Sequence, residues 1–212
     1  MFIIDFHGLV KNMLHHEICL SAYYKTAVKL QKKSKPTQKK RNRSKNQALN
    51  ISKGLCHKSG QECDVSLTSL QLEPAEYSIL CASRFFFSSF ANPETPSWMT
   101  VIVGSQDFFP VKESARIVQA ILVVIHEVRL SRKSTLRFSN PHCLDCRNNV
   151  TFEERHLVSM IRKVYAKRPE AAITHAMLLC EGNQTTDLLR SVENLIKLIS
   201  ASNLKISIKS NF

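Results

Sequence analysis

Two hundred and twelve residues, 43% apolar and 22% charged, fit one globular domain with or without an appended arm. Those proportions exclude a wholly disordered chain, a collagen and a multi-pass membrane protein. Thirty basic and seventeen acidic side chains leave a net charge of +13, a surplus that points to an acidic partner such as nucleic acid or anionic lipid.

Within the first segment, residues 1–24, Phe2, Ile3, Phe6, Leu9, Val10, Met13 and Leu14 recur three or four apart, which predicts an amphipathic helix. Its other side carries Asp5, His15, His16 and Glu17 rather than lysines, so docking on protein is expected before docking on lipid. Asp5 precedes the first lysine, Lys11, which does not suit a secretory signal. No apolar run reaches the roughly eighteen residues that span a bilayer. Seven cysteines, an odd number and mostly scattered, do not resemble a secreted disulfide framework. A cytoplasmic protein is expected, or a nuclear one in a eukaryotic cell.

Most of the charge lies in the second segment, residues 25–66. Lys25 to Lys58 holds twelve Lys/Arg and no Asp or Glu, whereas residues 65–212 hold seventeen basic and thirteen acidic side chains. The centre of the arm has no apolar residue except Pro36, too little to offset chain entropy, and predicts disorder. The arm admits three readings: a nucleic-acid tail, a nuclear-import address or a solvated linker. Under the first, Lys32, Lys33, Lys35, Lys39, Lys40, Arg41, Arg43 and Lys45 contact phosphates, joined by Arg132 and Lys133 of the following domain. Aromatic residues do not interleave with the charges, which leaves base stacking without support.

Residues 67–200 predict a mainly α, bundle-like domain with one long cysteine-containing loop. Pro74 starts a helix that runs to about Ala91 and buries Ile79, Leu80, Phe86, Phe87 and Phe90. The stretch 95–104 contains Thr-Val-Ile-Val but is flanked by Thr95, Pro96 and Gly104, and the helical reading is preferred. Pro110 opens the next helix, with Ile117, Val118, Ile121, Leu122, Val124, Ile125 and Val128 on its buried face. After a loop over 134–150, Thr151 and Glu154 form a capping box. Pro169 begins a helix expected to bury Ile173, Met177 and Cys180 before Gly182 stops it. The last helix spans about Thr186 to Ser200, and the tail, residues 201–212, is expected to fray.

Within the loop, Cys143 and Cys146 have the Cys-x-x-Cys spacing that supplies half of a tetrahedral zinc site. His156 and Cys180 are the expected third and fourth ligands; His175, or Cys56, His57 and Cys63, are alternative sources. A redox dithiol and plain reduced thiols are the competing readings. The structural zinc is preferred because a seventeen-residue loop of few apolar residues needs something to organise it. Ser105 and Asp107 could join a histidine in a hydrolase triad on paper, but no nucleophile elbow supports one, and with five glycines neither a Walker loop nor a dinucleotide fingerprint is present. The expected function is a non-enzymatic regulatory or adaptor protein that binds nucleic acid through its arm. The alternatives are a helical protein–protein or homodimerisation module and a metal-dependent enzyme.

Overall fold

The structure is a computed structural model that describes residues 64–109 and 111–208. The amphipathic segment, the basic arm, Cys56, His57 and Cys63 lie outside the described residues, as does Pro110.

The domain is mainly helical. Among the described residues it has seven helices: α1 (Pro74–Ala91), α2 (Ser97–Val103), α3 (Ser105–Phe108), α4 (Ser114–Ser131), α5 (Phe152–Tyr165), α6 (Pro169–Leu179) and α7 (Thr186–Ala201). Two strands of two residues, β1 (Val65–Ser66) and β2 (Asn149–Val150), pair antiparallel with Val65 opposite Val150. Asp64 reaches Arg137 at 3.2 Å, so 64–66, which sequence places at the end of the arm, belong to this fold.

Proline and glycine punctuate the chain for physical reasons. Pro74 and Pro169 occupy the first turns of α1 and α6, where a missing N–H costs nothing. Gly182 closes α6 at φ 75°, its N–H donating to the Met177 carbonyl at 2.8 Å. The stretch 95–104 is helical, as preferred, although Pro96 rather than Thr95 takes the cap position. α4 starts at Ser114, four residues after Pro110, which was expected to open it, and all seven apolar residues expected on its inner face are buried. α4 packs on α1 and α7, and α5 packs on α6 and α7.

Two expectations are corrected. The tail does not fray at 204–207: Ile206 is buried and the Ser207 N–H donates to Glu76 Oε1 at 3.1 Å. In α6 the inward residues are Ala172, Ala176, Leu179 and Cys180, whereas Ile173 and Met177 point outward at 42% and 47% exposure. The small alanines let α6 approach α5 closely, and its large side chains are displaced to the far side.

α1 and α5 are joined by two reciprocal ion pairs. In each helix a glutamate at the third position is followed eight residues later by an arginine: Glu76 and Arg84, Glu154 and Arg162. Eight residues are about 12 Å of helix, so in an antiparallel pair each glutamate meets the other helix's arginine. Arg84 Nε lies 2.7 Å from Glu154 Oε1 and Nη2 lies 3.0 Å from Oε2. Arg162 repeats this on Glu76 at 2.7 and 2.9 Å. Halfway along each eight-residue interval sit Leu80 and Val158, which share an apolar cluster with Leu70 and Val150.

Candidate functional site

The cysteine loop is organised from below by the Arg84–Glu154 pair. Arg84 donates through Nη1 to the Arg147 carbonyl at 2.7 Å and through Nη2 to the Asn149 carbonyl at 2.6 Å. Glu154 accepts from the Ser139 amide at 3.0 Å and, as the capping box requires, from the Thr151 amide at 2.9 Å. Arg84 and Glu154 are almost fully buried, so these bonds act in a low-dielectric setting where each is stronger and its loss costlier. A buried ion pair thus fixes both ends of the stretch 139–151.

The tip is held sideways. His142 Nε2 is 3.2 Å from Ser97 Oγ, and its ring meets Phe85 edge-on at 5.4 Å. Ser97 is buried, its hydroxyl lying 3.4 Å from that of Ser88, so this pair anchors the loop to α2. The Cys146 amide donates to Cys143 Sγ at 3.4 Å, and the Arg147 amide donates to the Cys143 carbonyl at 3.1 Å. The two cysteines therefore share one tight turn, which continues into a 3-10 turn over Cys146–Asn148.

The four expected zinc ligands are not brought to one place. His156 lies on α5 against Phe152 and His175. Cys180 is buried at the end of α6, where burial pushes its thiol up. Cys81, on α1, is raised by burial as well. Among the described residues no three His, Cys, Asp or Glu side chains are gathered to hold a metal ion. The physical argument for zinc, that the long loop needs an organiser, is met here by Arg84 and Glu154.

Several arginines of the domain are engaged within the fold. Arg132 donates to Glu181 Oε1 at 3.0 Å and to the Leu179 carbonyl, capping the C-terminus of α6 from the end of α4. Glu181 also accepts from the Ser134 hydroxyl and from the amides of Lys133 and Ser134. The Ser134 hydroxyl, then those amides, hold its carboxyl down to about 2. Arg129 lies over the Phe90 ring at 5.0 Å. Lys133, in contrast, is exposed. Of the two domain residues expected to meet phosphate, Arg132 is thus already committed within the fold.

His156 and His175 face each other across α5 and α6 with Nδ1 atoms 2.9 Å apart. Burial, then His175 and Arg155, lowers His156 to about 4, and burial followed by Lys163 lowers His175. Both rings are held below the ordinary histidine value, so the native state binds fewer protons than the unfolded one. Their stabilisation is present above about pH 6.5 and lost as pH falls toward 4. After discounting for partial exposure, urea midpoints should fall between pH 7 and pH 5 by the equivalent of about 1 kcal/mol. His156→Phe should flatten that dependence; an unchanged pH profile would contradict the assignment.

No known protein family, curated protein or solved structure matches this chain. No helix among the described residues is long and apolar enough to cross a membrane.

Proposed function

We propose that this protein is a non-enzymatic adaptor whose helical domain docks on a protein surface through α6 while its basic arm holds nucleic acid. The observation that carries the docking half is the outward face of α6. Ile173, Met177 and Leu178 stand 42%, 47% and 49% exposed on a helix whose inner side is already filled by Ala172, Ala176 and Leu179. Residues 173 and 177 are one turn apart and present a continuous apolar strip, the form in which a helix offers itself to a partner.

The nucleic-acid half rests on the sequence. With Arg132 bound to Glu181, phosphate contact falls to the exposed Lys133 of the domain and, in the arm, to Lys32, Lys33, Lys35, Lys39, Lys40, Arg41, Arg43 and Lys45, eight cations without an intervening carboxylate. Such an arm binds through counterion release, strongly at low salt and with little base preference. The test is a mobility-shift series on the full chain. If these eight residues each neutralise one phosphate, log K should fall with log salt with a slope near −7 on duplex DNA. Changing all eight to glutamine should remove the shift, whereas Arg132→Gln should leave it unaltered. A shift that survives the eightfold change would overturn the role of the arm.

A further inference from the structure

The geometry points to a transition-metal chelate formed by His156 and His175, separate from the cysteine loop and independent of the adaptor reading. The Nδ1 atoms share a hydrogen bond of 2.9 Å and the ring planes are tilted by 39°, so a bound ion would take the place of the shared proton. With metal–nitrogen bonds of about 2.1 Å, nitrogens at that separation subtend about 90° at a shared ion. That is the cis angle of tetragonal or octahedral coordination, preferred by Ni(II) and Cu(II). A tetrahedral zinc would need the nitrogens roughly 3.3 Å apart.

Two features support the chelate. Each imidazole is on a separate, well-packed helix, since α5 and α6 pack directly on one another, so the pair is preorganised and binding costs little ordering entropy. Phe152 packs edge-on against His156 with centroids 4.3 Å apart, which fixes that ring's orientation. Arg155 and Lys163 face the pair with positive charge, which weakens cation binding and places the affinity below that of a structural metal site.

Ni(II) is the suitable probe, because Cu(II) oxidises thiols and the chain has seven cysteines. Equilibrium dialysis of the full chain against Ni(II) at about pH 7.5, where both rings are neutral, should show one equivalent that is lost in His156→Ala/His175→Ala. A chelate needs both rings, so each single variant should weaken that equivalent by more than the roughly tenfold cost of losing an outer-shell contact. Histidines elsewhere bind equally in all forms and cancel. In a parallel arm, Ni(II) should raise the thermal midpoint of the wild type but not of His175→Gln, with circular dichroism confirming that each variant is folded. Equal stoichiometry and affinity in the wild type and the folded double variant would overturn the site.

Discussion

Glu154→Ala should lower the unfolding free energy by about 3–5 kcal/mol, because it strands the Arg84 guanidinium in the interior. Arg84 is 2% exposed, and its fork is satisfied by Glu154 and two loop carbonyls. The same substitution frees the Ser139 and Thr151 amides, and each unsatisfied buried donor costs a further ~1–3 kcal/mol. Urea unfolding followed by circular dichroism measures the sum. The informative comparison is the double variant Arg84→Met/Glu154→Leu. For many buried ion pairs an apolar replacement is neutral or stabilising. Here it should remain destabilised, by at least ~2 kcal/mol, since the loop amides and carbonyls lose their partners together. A double variant as stable as the wild type would mean that the loop does not depend on this pair.

That dependence explains what sequence could and could not convey about the site. The long loop visibly needed an organiser, and the spacing of Cys143 and Cys146 advertised one. Arg84 and Glu154 are separated by seventy residues, and each has a local explanation on its own. Arg84 interrupts an apolar run, and Glu154 completes a capping box. The available signal was the repetition of a third-position glutamate followed eight residues later by arginine in α1 and in α5, which a search for sequence repeats does not weigh. The helices themselves were legible, because α4 and α7 have one apolar stripe each and proline or glycine near their ends. The inward face of α6 was not, since Ala172 and Ala176 form one apolar stripe and Ile173 and Met177 another. Which of them faces inward depends on how close α5 comes, and that is a property of the partner surface.

Glu76→Ala should have an effect of the same order, about 3–5 kcal/mol, with a different spatial signature. Glu76 pairs with Arg162, caps its own helix through the Glu73 amide at 2.8 Å and accepts from the Ser207 amide at 3.1 Å. One carboxylate therefore ties the start of α1, the end of α5 and the C-terminal tail together. Its loss leaves Arg162, 4% exposed, bonded only to the carbonyls of Leu70 and Gln71, and a buried guanidinium without a counter-charge is the dominant cost. The tail should then detach: native-state hydrogen exchange at Ser207 should accelerate beyond what global destabilisation predicts, whereas Glu154→Ala should speed it only in proportion to stability. Ile206→Ala supplies the control. It removes a buried side chain worth about 2–5 kcal/mol but leaves the Glu76 bond to Ser207 available. If both variants change Ser207 exchange alike, the tail is held by apolar burial alone and the carboxylate has no separate part in docking it.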